Sequence, residues 1–98
     1  MNLDNLIGRI VISKAGRDKG KYFIVVGAVD EYYVLIADGK LRPGSKPKKK
    51  KLRHLEITDI IANEIADSIL CGNKLTDSMI RQYLKINVLQ LNDRNKEV

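Results

Sequence analysis

A mainly β chain ending in two helices is what this sequence predicts, and three observations predict it. Three short runs rich in β-branched and aromatic residues lie between residues 6 and 39, with turn-forming residues at close spacing between them. After Thr58 the apolar residues change period, and Ile61, Ile65 and Ile69 recur four apart. Between these regions, residues 40–54 carry positive charge and no acid. Strands joined by such short turns predict a small barrel, because parallel strands need long crossover connections.

Residues 6–13 form the expected first strand, around Ile10-Val11-Ile12. A polar turn follows over residues 14–20, with Gly16 and Gly20 near its ends. Residues 21–28 form the second strand, and Phe23-Ile24-Val25-Val26 reads as its buried part. Asp30-Glu31 makes a tight turn into a third strand, residues 32–37, which the hairpin signal Asp38-Gly39 closes. Pro43, Gly44 and Pro47 interleave with lysines over residues 42–51, which predicts an extended, mobile loop. Residues 52–57 resume as a strand that closes the barrel, with Leu55 and Ile57 on one face.

Thr58-Asp59 is expected to cap the first helix and Gly72-Asn73 to stop it. Thr76 is the expected N-cap of the second helix, with Leu75 and Ile80 placed for a hydrophobic staple. Ile80, Leu84, Val88 and Leu91 form its apolar stripe. The expected organisation is a barrel over residues 1–58 that includes the basic loop 40–54, a helical extension over 59–91, and a flexible tail over 92–98. A barrel of about 50 residues has a marginal core, so at least the first helix is expected to pack on it.

The 98 residues suffice for one domain, and 44% hydrophobic with 31% charged content excludes a disordered tail. No apolar run approaches the roughly 20 residues that span a bilayer. The first residues lack a basic and then an apolar stretch, so no secretory leader is expected. Cys71 is the single cysteine, which rules out a disulfide framework. These features read as cytoplasmic. The net charge of +6 is unevenly spread. Residues 40–54 hold eight of the 18 Lys and Arg and none of the 12 acids, leaving ten basic against twelve acidic residues elsewhere. Positive charge so concentrated calls for a polyanion.

Residues 8–39 carry a recognisable pattern. Gly8-Arg9-Ile10-Val11-Ile12-Ser13 leads into the turn Lys14-Ala15-Gly16-Arg17-Asp18-Lys19-Gly20-Lys21, then Tyr22-Phe23-Ile24-Val25-Val26 and, later, Val34-Leu35-Ile36-Ala37-Asp38-Gly39. This resembles a KOW motif. It is similar to bacterial KOW-domain RNA-binding proteins and, through them, to a group of archaeal and eukaryotic large-subunit ribosomal proteins. That family tends to place a lysine-rich segment and then a His-Leu…Thr strand after the third strand, matched here by Lys48 to Lys51, His54-Leu55 and Thr58. The resemblance covers residues 6–58 well and the helices less specifically. It implies an SH3-like barrel that binds RNA, often ribosomal RNA, although KOW domains also bind proteins.

Each candidate has a plainer reading beside it. A lysine run can be a solvated linker. Gly16 and Gly20 can serve the hairpin alone, or also let a phosphate approach backbone N–H groups. Asp18 is the one acid of the turn and is placed to orient a neighbouring Arg or Lys. A phosphate-binding P-loop is set aside, since Gly16-x-x-x-Gly20-Lys21 is one residue short and Tyr22 stands where Ser or Thr belongs. Tyr32 and Tyr33 are adjacent, so one faces out and can stack a base, or both serve packing. His54 has no partners at ligand spacing and no catalytic signature around it. Cys71 reads as a small apolar residue, and Asp59, Glu64 and Asp67 as the wet face of the first helix.

The functional expectation is a non-catalytic, ribosome-associated protein without metal or cofactor. It contacts ribosomal RNA through Arg42, Lys46, Lys48, Lys49, Lys50, Lys51 and Arg53 of the basic segment and Lys14, Arg17, Lys19 and Lys21 of the turn. The competing expectation is a protein-interaction adaptor of the translation or transcription machinery, using the barrel and residues 75–91. Membrane binding is weaker, because the basic segment and the amphipathic helices are separate and neither helix has a lysine-rich polar face.

Overall fold

The computed structural model describes residues 3–73 and 75–96. Ile10-Val11-Ile12 lies within β1 (Arg9–Ser13), which pairs antiparallel with β2 (Tyr22–Ala28) so that Val11 faces Phe23 and Ile10 faces Ile24. β2 pairs with β3 (Tyr33–Ala37), β3 with β4 (Lys48–Lys51), and β1 on its far side with β5 (Leu55–Ile61). The order across the sheet is β4-β3-β2-β1-β5.

That order forces the sheet to curl. β4 and β5 stand at opposite edges, yet only the 3-10 turn Leu52–His54 separates them in the chain. Laid flat, the edges would lie about 19 Å apart at roughly 4.8 Å per strand. The chain from Lys51 to Leu55 reaches about 14 Å at most. The edges must therefore approach each other, which is a small barrel. The connecting turn is pinned from both sides. Leu52 N–H donates to the Tyr32 carbonyl at 2.8 Å, and Lys14 N–H donates to the His54 carbonyl at 2.8 Å.

Strand alternation sorts the apolar residues into two layers. Val11, Phe23, Val25, Val34, Ile36 and Leu55 fill the barrel, with Leu6, Ile7 and Ala66 packed among them. Ile10, Ile24 and Ala37 point the other way and are covered by Ile65 of α1 (Asn63–Leu70) and by Ile80 and Leu84 of α2 (Asp77–Lys96). β2 is thus buried on both sides, which is why Phe23-Ile24-Val25 is continuously apolar rather than alternating. Gly39 brings β3's end against α2. At φ +77° it has no Cβ, and one there would lie 2.6 Å from the Asp77 carbonyl oxygen.

Helix ends follow local chemistry. The Thr76 hydroxyl accepts from Met79 N–H at 3.2 Å, and Leu75 packs in the same cluster as Ile80, so the expected cap and staple are both present. α1 ends with Asn73 N–H donating to the Ser68 carbonyl and Gly72 N–H to that of Ile69, a Schellman pair.

Several boundaries differ from the expectation. A 3-10 turn, Leu3–Leu6, precedes β1, so the first strand begins at Arg9 and not at residue 6. Thr58 and Asp59 do not stand at the start of the first helix: both lie in β5, which runs on to Ile61, and the N-cap position of α1 is Ala62. The Thr58 hydroxyl instead donates to the Ile10 carbonyl at 2.6 Å and accepts from Ile60 N–H at 3.3 Å, beside the point where β5 slips register against β1. A residue type that suits a helix cap thus serves a strand irregularity, because both need a short oxygen beside the backbone. Ile57 stays 43% exposed on this edge strand, whereas Leu55 is buried. α2 continues through Lys96 into the stretch read as a flexible tail. Residues 97 and 98 of that stretch, and the side chain of Leu91, lie outside the described residues.

The largest difference is at the lysines. Residues 48–51 form no mobile loop: they are β4, with Tyr33 opposite Lys51, Val34 opposite Lys50, Leu35 opposite Lys49 and Ile36 opposite Lys48. Lysine has little strand preference of its own. The free edge of β3 supplies the backbone partners, and a row of charged side chains is a common way to finish a sheet edge without inviting another strand.

Candidate nucleic-acid interface

The turn between β1 and β2 is held by its own backbone. Gly20 N–H donates to the Ser13 carbonyl at 2.8 Å, Lys21 N–H to that of Asp18 at 2.9 Å, and Lys19 N–H to that of Gly16 at 3.2 Å. Gly16 and Gly20 sit at φ +79° and +86°, where side chains are disfavoured. The result presents Lys14, Arg17, Lys19 and Lys21 exposed to solvent while Asp18 turns inward and is 8% exposed.

β4 lies beside this turn, and strand alternation divides its lysines. Lys48 Nζ donates to Asp18 Oδ2 at 3.0 Å, and Lys50 Nζ donates to the Ala15 carbonyl at 3.2 Å. Lys49 and Lys51 go to the other side, with their ammonium groups 4.6 and 5.9 Å from the centre of the Tyr33 ring. Arg53, on the 3-10 turn that follows, is exposed near Lys51. Lys46 is exposed in the turn before β4.

Asp18 ties turn to strand. Besides Lys48, it has Arg42 and Lys21 each 4.0 Å away. The hydrogen bond from Lys48 holds its carboxyl below the usual 3.8. The charges of Lys48, Arg42 and Lys21 act the same way, and burial opposes them. One carboxylate among three cations leaves the cluster positive, while fixing where those cations stand. A lowered folded-state pKa means the contact stabilises fully above the ordinary value and loses that stabilisation as pH falls through the folded one. Asp18→Asn should therefore melt below the native protein at neutral pH, with the gap closing as pH drops below about 4. Thermal denaturation across that range checks it, and a gap constant with pH would contradict the ion-pair origin.

Sequence reasoning missed part of this surface. Lys21 also borders a groove of about 530 Å³ beside α2, where Lys40, Arg81 and Lys85 join it. Arg81 is held by donating to the Gly39 carbonyl at 2.7 Å. The signal was present, since Arg81 and Lys85 are four apart on one helix face. Among the described residues, no group of three His, Cys, Asp or Glu is placed to hold a metal ion. No described helix is long and apolar enough to cross a membrane.

No family model matches the chain. Individual proteins do. The large ribosomal subunit protein eL14 of Pyrobaculum arsenaticum is 43% identical over 53 residues, covering 54% of this chain and 52% of that protein. The eL14 of Desulfurococcus amylolyticus is 42% identical over 53 residues, covering 54% and 55%. The eL14 of Saccharolobus solfataricus is 31% identical over 81 residues, covering 81% of this chain and 84% of that protein.

The chain belongs to the eL14 family.

The kinship with archaeal large-subunit ribosomal proteins expected from residues 8–39 is thereby met. The longest of these matches, 81 residues, cannot fit within the chain up to the end of β5 at Ile61, so eL14-like similarity includes part of the helical segment. The alignments span about half the length of the Pyrobaculum and Desulfurococcus eL14 proteins.

Proposed function

We propose that this eL14-family chain is a non-catalytic RNA-binding protein that associates with ribosomal RNA in the cytoplasm. The observation that carries the reading is the joining of turn and strand: Asp18 and the Ala15 carbonyl hold Lys48 and Lys50 against the turn that presents Lys14, Arg17, Lys19 and Lys21. Two basic segments distant in sequence become one surface with far more cations than acids, suited to a phosphate backbone. Such contacts supply affinity and orientation, and base choice must come from elsewhere. The names of the relatives, all large ribosomal subunit proteins, support ribosomal RNA as the partner.

The test is sucrose-gradient sedimentation of the native protein from lysate, at low and high salt, with and without ribonuclease. Co-migration with ribosomal subunits that salt or ribonuclease abolishes is the expected result. Free protein under every condition would overturn the assignment.

A second reading, docking of a protein through residues 75–91, is favoured by Ile86 and Leu89 of α2, which are 46% and 56% exposed. It requires a partner that stays bound after nuclease treatment.

A further inference from the structure

We infer that the hollow between the 29–33 turn and the 3-10 turn Leu52–His54 takes one unpaired nucleobase, stacked on Tyr32. This rests on the RNA-binding reading and assigns base contact to a site separate from the Asp18 cluster. The hollow has a volume of about 500 Å³ and is lined by Glu31, Tyr32, Tyr33, Lys51, Leu52 and Arg53. That volume lies within the range of roughly 300–1,000 Å³ common for small-ligand sites.

Tyr32 is 66% exposed, and its backbone is fixed before any ligand arrives. Asp30 Oδ1 accepts from Tyr32 N–H at 2.8 Å and from Tyr33 N–H at 3.0 Å. The Tyr32 carbonyl accepts from Leu52 N–H at 2.8 Å, which ties it to the opposite wall. A large aromatic ring held in water on a rigid turn is a low-entropy contact surface. The neighbouring Tyr33 ring is already engaged by Lys49 and, more distantly, Lys51, so Tyr32 is the more open platform.

The walls carry the complementary chemistry. Lys51 and Arg53 supply cations for the flanking phosphates, and the Arg53 guanidinium offers a second planar surface. Glu31 at the rim is an acceptor suited to the amino groups of adenine, cytosine or guanine. A paired base cannot reach such a platform, because its faces are already stacked, so the ligand is a single strand, loop or bulge.

The test compares Tyr32→Ala and Tyr32→Phe with the native protein. The probes are an adenine- and cytosine-rich single-stranded oligoribonucleotide about twelve nucleotides long and an RNA duplex of equal phosphate number. Tyr32→Ala should weaken single-strand binding about tenfold, the size of one lost base–aromatic stack, and leave duplex binding unchanged. Tyr32→Phe should bind as the native protein does, since it keeps the ring. Native single-strand affinity in Tyr32→Ala, or equal losses on both probes, would overturn the base site while leaving the basic surface standing. Failure of the native protein to bind either probe would overturn both readings. Because Tyr32 is exposed, thermal melting should show the variants folded.

Discussion

Replacing all four strand lysines by glutamate (Lys48→Glu, Lys49→Glu, Lys50→Glu and Lys51→Glu together) is expected to lower RNA affinity by roughly 10³-fold at moderate salt. If about six cations contact phosphates, log affinity falls against log salt with a slope of roughly −4 to −5. Affinity then drops about 10³-fold between 50 and 200 mM salt. The four substitutions remove most of those contacts and add repulsion of the same sign at each site. The salt slope should flatten accordingly. The matching quadruple glutamine variant removes charge without adding any, and should fall between the native and glutamate proteins. Neither variant alters the backbone groups that pair β4 with β3, so circular dichroism at low temperature should remain native-like. Both should melt below the native protein, the glutamate variant more so because it sets a carboxylate against Asp18. Titration of labelled RNA at several salt concentrations checks the prediction. An unchanged slope would mean that β4 is a solvated sheet edge and the footprint lies elsewhere.

Phe23→Ala is expected to cost about 3–5 kcal/mol of folding free energy. Phe23 is 1% exposed near the start of β2 and belongs to the core cluster that also holds residues of β1, β3, β5 and α1. A domain of this length holds roughly 5–15 kcal/mol in total, so the loss is a large share of it. The melting temperature should fall by roughly 20 °C. Thermal and urea denaturation measure it, and a loss under about 1 kcal/mol would mean that the barrel interior relaxes to refill the cavity. RNA binding at low temperature should survive in the fraction that remains folded, which separates this effect from that of the lysines.

The β1–β3 region was legible because its signals are local. β-branched runs, Asp38-Gly39 and the glycine turn act within a few residues of themselves, and the strands appear where those signals fall. The second helix was equally legible at its start, where Thr76, Leu75 and Ile80 announce a cap and a staple. Thr58 misled because its hydroxyl suits two local settings, and pairing with β1 forty-eight residues away chose between them. The lysine run misled more. Its charge suggested an exposed segment, yet of the four lysines only Lys49 is exposed, and the run's order comes from the edge of β3, from Asp18 and from the ring of Tyr33. No residue near it in sequence predicts any of the three.

By itself the sequence determined the local elements around the glycine turn, the start of the second helix and the concentration of positive charge, since each depends on neighbours within a few positions. Only the tertiary structure decided that residues 48–51 are a strand, that Asp18 gathers Lys48, Lys21 and Arg42, and that exposed Tyr32 shares a hollow with Lys51 and Arg53. Those outcomes depend on groups up to thirty residues apart being brought within a few ångströms, and that distance closes only when the sheet curls.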